Sequence, residues 1–224
     1  MAQVNGPGPS PASSFDTVLN LPGDEDVITG ALSESIGGVE GQTTQLNVSD
    51  GGEVGSSFDA NSGSEVNISG GTVGGSFDAN SGSEVNISGG TVVASRSFNS
   101  EFRVFDSEVN IRGGMIGAIE GFLGSVLNIS GGTVSGFDVN AGSVVNFSGG
   151  TVVALVRVES GGVLNISGGT VDAIVNVESG GVLNISGGTT TDFIRSFGGE
   201  VKYQRRGHRP RLGSIFRRSE LFWK

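Results

Sequence analysis

One nine-residue phrase, Val163-Leu164-Asn165-Ile166-Ser167-Gly168-Gly169-Thr170-Val171, recurs along most of the chain. Its Asn returns at 47, 67, 86, 110, 128, 146, 165 and 184, in steps of 20, 19, 24, 18, 18, 19 and 19 residues. A unit this short cannot bury a core alone. A near-constant period of this size therefore predicts a solenoid, in which each unit buries its apolar side against the next.

The residues on either side of each Asn are apolar: Leu46/Val48, Val66/Ile68, Val85/Ile87, Val109/Ile111, Leu127/Ile129, Val145/Phe147, Leu164/Ile166 and Leu183/Ile185. Alternate side chains of a strand point to opposite faces, so these flanks point inward and the Asn points outward. Gly-Gly follows, where a corner needs unusual backbone angles. Thr-Val then opens a second strand, with Val73, Val92, Val134, Val152 and Val171 inward. A third strand has Phe58, Phe77, Phe137, Val156 and Val175 inward and Asp59/Asn61, Asp78/Asn80, Asp138/Asn140, Arg157/Glu159 and Asn176/Glu178 outward.

These patterns predict an all-β, single-stranded parallel β-helix (β-solenoid) of about eight coils of 18–24 residues, with three short strands per coil. Right-handed winding is expected, because the period varies and no strict hexapeptide spacing is present. Residues 1–14 read as a flexible Pro/Gly/Ser leader. Residues 15–45 are assigned to an N-terminal cap, since an open end exposes strand edges and core. The repeat domain covers 46–194. Residues 195–224 form a basic tail or cap, with a short amphipathic helix expected over Ile215–Trp223.

Composition narrows the chemistry. The net charge of −10 is split: residues 1–194 carry 21 Asp/Glu and four Arg, residues 195–224 nine Lys/Arg and two Glu. Before residue 195 there is no Lys, His, Cys, Tyr or Trp. Only carboxylates, Arg and hydroxyls remain there as acids, bases or nucleophiles. The absence of Cys excludes disulfides and thiolate metal sites, and His208 stands alone. No apolar run reaches transmembrane length. Nucleic acid is not an expected partner. No signal peptide is visible, and Ala2-Gln3-Val4 reads as a mature N-terminus whose signal Met1 replaces.

Four features invite a functional reading. Asn67, Asn86, Asn110, Asn128, Asn146, Asn165 and Asn184, with Asn47, are expected to form a structural ladder. Seven of these eight Asn stand in Asn-X-Ser, the glycosylation signal, but glycans one coil apart would crowd at about 4.8 Å. Asp59, Asn61, Asp78 and Asn80 resemble the start of a calcium loop; they lack its later ligands, so at most loosely bound Ca²⁺ is expected. The long step from Asn86 to Asn110, with the two residues after it, holds Arg96, Arg103 and Arg112 near Glu101, Asp106 and Glu108. This is where chemistry on an acidic polysaccharide would have to sit, and the competing reading is an insertion with surface ion pairs. The Thr column (Thr72, Thr91, Thr133, Thr151, Thr170, Thr189) is interrupted by Met115, which argues against a flat ice-binding face. Finally, the outward position two residues before the Asn changes from Glu65, Glu84 and Glu108 to Val126, Val144, Val163 and Val182. That apolar ridge suits self-association or cover by the tail.

The segment Phe77-Asp78-Ala79-Asn80-Ser81-Gly82-Ser83-Glu84-Val85-Asn86-Ile87-Ser88-Gly89-Gly90-Thr91-Val92 resembles the repeat of large secreted β-helix proteins of planctomycete bacteria. It is more loosely similar to passenger repeats of autotransporter adhesins. Phe15-Asp16-Thr17-Val18-Leu19-Asn20-Leu21-Pro22 resembles the start of the same planctomycete repeats. The resemblance spans about 15–190 and implies a secreted or cell-surface, non-enzymatic structural or adhesive protein. The expected partner is an extracellular polysaccharide, or a second copy through the Val126, Val144, Val163 and Val182 ridge. It supplies no catalytic residues. The alternative class is a polysaccharide lyase or glycoside hydrolase using residues 93–112.

Overall fold

The computed structural model describes residues 17–21, 44–54, 58–93, 102–204 and 215–217. Every element in these stretches is a β-strand, and the strands stack in parallel as a solenoid of about eight turns. The first sheet contains ten strands in chain order: Thr17–Leu21, Thr44–Val48, Ser64–Ile68, Glu84–Ile87, Glu108–Ile111, Val126–Ile129, Val144–Phe147, Val163–Ile166, Val182–Ile185 and Glu200–Tyr203. Each Asn lies opposite the Asn of the next coil. A one-residue slip would turn the Val/Leu/Ile flanks to solvent, so the buried face locks the register.

The second sheet carries the other two strand columns. In six coils they are separate strands, as in Thr151–Val152 and Val156–Val158. In two coils they merge into continuous strands, Met115–Gly121 and Thr133–Val139. The three strand columns expected per coil are all present, and in these two coils the second and third run on without a break. The cause is the length of the corner. Two residues, Ser135 and Gly136, separate Val134 from Phe137, whereas three separate Val152 from Val156. The shorter connection leaves no residue for a turn.

The core is a one-layer filling between the sheets. Its third-strand column runs Phe58, Phe77, Phe102, Ile119, Phe137, Val156, Val175 and Ile194, all buried. Phe102 and Ile119 fill the two places that sequence alignment left open. The Phe77 ring lies 5.2 Å from that of Phe58 and 4.5 Å from that of Phe102, the latter pair stacked. Such pairs add about 0.5–1.5 kcal/mol beyond their buried area.

The two glycines of each Gly-Gly corner serve different needs. A Cβ at Gly149 would lie 2.3 Å from the Ser130 carbonyl oxygen one coil below, so the first glycine permits close stacking. Gly150 has φ +85°, so the second supplies the left-handed turn.

Strands extend past the repeat at both ends. Thr17–Leu21 adds a first rung to the Asn sheet, and Glu200–Tyr203 adds a last one. Ile215–Arg217 is a strand paired with Ile194–Ser196, not part of a helix. The parallel edge left by the last coil imposes extended backbone on this segment. The composition of the tail departs from the repeat, yet its two described strands continue the stack.

Candidate functional site

The Asn column forms a hydrogen-bonded ladder on the outer face of the first sheet. Asn47 Nδ2 donates to Asn20 Oδ1 at 2.9 Å, Asn67 to Asn47 at 3.0 Å, Asn86 to Asn67 at 3.3 Å and Asn110 to Asn86 at 3.2 Å. Asn128, Asn146, Asn165 and Asn184 continue it at 3.0, 2.9, 2.9 and 2.8 Å. Every donor points toward the N-terminal coil, so the ladder has a direction. The Nδ2 that glycosylation would modify is engaged at all seven sequons. Asn20 extends the ladder by one rung, and Lys202 occupies the position after Asn184. The likeness of Thr17-Val18-Leu19-Asn20-Leu21 to Thr44-Gln45-Leu46-Asn47-Val48 was the available signal for Asn20.

The column beside the ladder divides this face in two. Gln45, Glu65, Glu84 and Glu108 are in register with Val126, Val144, Val163 and Val182, and Glu200 follows. In the first half the side chains of Gln45, Glu65 and Glu84 accept from the Asn on their own strand, at 3.3, 2.7 and 3.0 Å. Glu108 accepts from Asn128 one coil on, at 3.1 Å. In the second half, Asn146, Asn165 and Asn184 donate only within the ladder. The four Val are half-buried and in line. The tail strands lie at the end of the stack rather than along this ridge.

The opposite sheet carries a charged column that sequence reasoning saw only in part. Asp59, Asp78, Arg103, Glu120, Asp138, Arg157, Asn176 and Arg195 are successive register partners. Arg103 Nε donates to Asp78 Oδ1 at 2.7 Å and its Nη2 to Asp78 Oδ2, a bidentate pair. Arg157 meets Asp138 at 3.5 Å. Arg103 stands between Asp78 and Glu120, and Arg157 beside Asp138, so opposite charges attract at these coils, whereas Asp59/Asp78 and Glu120/Asp138 are like-charge neighbours.

The residues proposed for polysaccharide chemistry are spread over the coil. Arg103 projects from the third strand onto Asp78. Asp106 lies at the following corner with φ +43°, and its Oδ2 accepts from Ser81 at 2.8 Å. Glu108 begins the Asn strand, and Arg112 is exposed beyond its far end. Arg96 and Glu101 lie outside the described residues, within the stretch 94–101. An Arg held bidentately by a carboxylate keeps its proton and is poorly placed as a base. Of the calcium candidates, Asp78 is engaged by Arg103, and Asn80 donates to Asn61 at 3.2 Å. Among the described residues no group of three or more His, Cys, Asp or Glu is gathered to hold a metal ion. Among them, too, no helix is long and apolar enough to cross a membrane.

No protein-family model matches the chain, and no curated protein or solved structure matches it.

Proposed function

We propose that this chain is a non-enzymatic structural or adhesive element acting outside the cell, a stiff rod that presents extended faces to surfaces or polysaccharides. One observation carries the reading: the outward Asn column ties coil to coil along its length, and the charged residues beside it are engaged by it or by one another. The Asn amides bond to one another along nine rungs, Arg103 is held by Asp78, and Glu65, Glu84 and Glu108 accept from the ladder. A surface built this way is rigid, and long regular faces favour many weak contacts over one deep site. The secreted setting rests on the planctomycete-like repeat.

The experiment is a panel of neutral and acidic polysaccharides, each assayed for retention of the protein and for chain cleavage, with and without Ca²⁺. Retention without cleavage is the expected result. Release of unsaturated or reducing ends that is lost in Arg103→Ala or Glu108→Gln would overturn the proposal and establish the enzyme reading.

A further inference from the structure

The two halves of the Asn face use the same amide differently. A side-chain amide carries two N–H donors, and along the ladder one of them reaches the preceding Asn. In the first half the other is taken up beside it: Gln45, Glu65 and Glu84 accept from Asn47, Asn67 and Asn86, and Glu108 accepts from Asn128. In the second half Val occupies that column. Among the described residues, Asn146, Asn165 and Asn184 donate to the ladder alone, so each keeps one N–H open to solvent beside the Val column. The change from Glu to Val removes the acceptors and, with them, all charge. The outward residues of Val126–Ile129, Val144–Phe147, Val163–Ile166 and Val182–Ile185 are Val and Asn throughout, and the Ser after each strand is exposed. These strands pair residue for residue, so the columns run straight. Charge returns at the borders, with Glu108 and Arg112 on one side and Glu200 and Lys202 on the other.

We infer that this four-coil track binds a neutral, extended β-linked glucan of the cellulose type, laid along the rod axis. The hydroxyls of such a sugar are equatorial. Its ring faces are therefore C–H surfaces, which suit the half-buried Val column, and its edges carry hydroxyl and ether oxygens, which suit a row of N–H donors. Its unit length is close to the coil spacing of about 4.8 Å, so donors and acceptors stay in step along the track. Burial of C–H groups against Val supplies the attraction. The amides set the orientation, because each exchanges a water for a sugar oxygen. An acidic glycan is disfavoured by a body that carries 21 Asp/Glu against four Arg before residue 195. Size decides against a second copy of the chain as occupant. Four strands by three outward positions cover about 19 Å by about 13 Å, roughly 250 Å². Two copies would then bury about 500 Å², where stable interfaces bury about 1,200–2,000 Å². A glucan needs only a strip one sugar wide. The track is shallow, so a single chain binds weakly and a polymer surface is held by many such contacts at once.

This inference rests on the structural or adhesive reading and names its ligand; the test separates the two. Cellohexaose is titrated into the full chain and followed by calorimetry and amide NMR. Maltohexaose, whose α-linked chain coils, and an oligogalacturonate, which is charged, are the comparisons. Saturable binding of cellohexaose is expected, at least tenfold tighter than either comparison and changed less than twofold by about 0.5 M salt. Val144→Glu with Val163→Glu gives the second half the arrangement that Glu65 and Glu84 already have in the first, and circular dichroism verifies that the pair is folded. Binding should weaken at least tenfold. Glu108→Val frees the second N–H of Asn128 and lengthens the track by one coil, so binding should tighten. No saturable binding, equal binding of the three oligosaccharides, or binding unaffected by the Val→Glu pair would overturn the inference. So would a dimer, seen in sedimentation velocity and lost in that pair, which would make a second copy the occupant. Retention of the rod by another polysaccharide, without cleavage, would then leave the structural reading standing, whereas cleavage of any of them would overturn that reading as well.

Discussion

Asn165 donates through Nδ2 to Oδ1 of Asn146 at 2.9 Å, and Asn165 Oδ1 in turn accepts from Asn184 at 2.8 Å. This direction makes Asn and Asp unequal at the same place. In Asn165→Asp the bond from Asn184 survives, but the carboxylate has no hydrogen to offer Asn146 and sets two oxygens face to face. The variant should lose about 1–3 kcal/mol at neutral pH, more than Asn165→Ala. The charged form is disfavoured in the folded state, so its pKa there is raised above the unfolded value of about 3.9. The penalty should be complete above the folded pKa and fade as pH falls toward the unfolded one. Urea unfolding of variant and wild type across pH checks this; a pH-independent difference would reject the ladder's polarity.

The Phe77 ring is enclosed between Phe58 and Phe102. Phe77→Ala should cost about 3–5 kcal/mol, the range for emptying a well-packed aromatic site. Phe77→Leu should recover more than half of that. Equilibrium denaturation measures both, and a loss under about 1 kcal/mol would show that the coils collapse around the cavity.

At the corner, Gly149→Ala should be far worse than a surface glycine change. Its Cβ would fall 2.3 Å from the Ser130 carbonyl oxygen, which belongs to the backbone and cannot rotate away. The coils must separate there, and a loss above about 2 kcal/mol is expected. Gly150→Ala sets its Cβ 2.7 Å from the Gly131 and Gly132 carbonyl oxygens, a smaller overlap, and also forces φ +85° on an L-residue, which by itself costs about 1–2 kcal/mol. The order of the two melting temperatures is the readout.

A double-mutant cycle on Asp78→Ala and Arg103→Ala should give a coupling of about 1 kcal/mol, at the upper end for a bidentate pair at the surface. Both side chains are partly solvated, at 15% and 38% exposure, so the coupling should shrink in 0.5 M salt, roughly by half or more. Coupling that persists undiminished would mean the pair is drier than its exposure implies.

Removing residues 205–224 takes away Ile215–Arg217 and uncovers the edge of Ile194–Ser196. The melting temperature should fall by several degrees, since about 1 kcal/mol shifts a chain of this size by roughly 2–4 °C. An unchanged melting temperature would show that the last strand contributes nothing to closing the stack.

Much of this architecture is determined by the sequence alone. The spacing of the Asn, the apolar flanks and the Gly-Gly corners leave one arrangement in which every flank is buried, and that arrangement aligns the Asn into a ladder. Strict local periodicity makes this legible, because each coil repeats the same local solution. The tertiary structure alone decided what periodicity does not encode. Asp78 and Arg103 are 25 residues apart in coils of unequal length, and only stacking makes them neighbours. Ile215–Arg217 carries no repeat signature and is extended because a parallel edge waits for it. The merging of two strands into Met115–Gly121 depends on one residue at a corner, a difference invisible until the coil closes. The candidate site is legible only as residue types. Its ion pairs, Asp78 with Arg103 and Asp138 with Arg157, are properties of register, which the backbone hydrogen bonds between coils set.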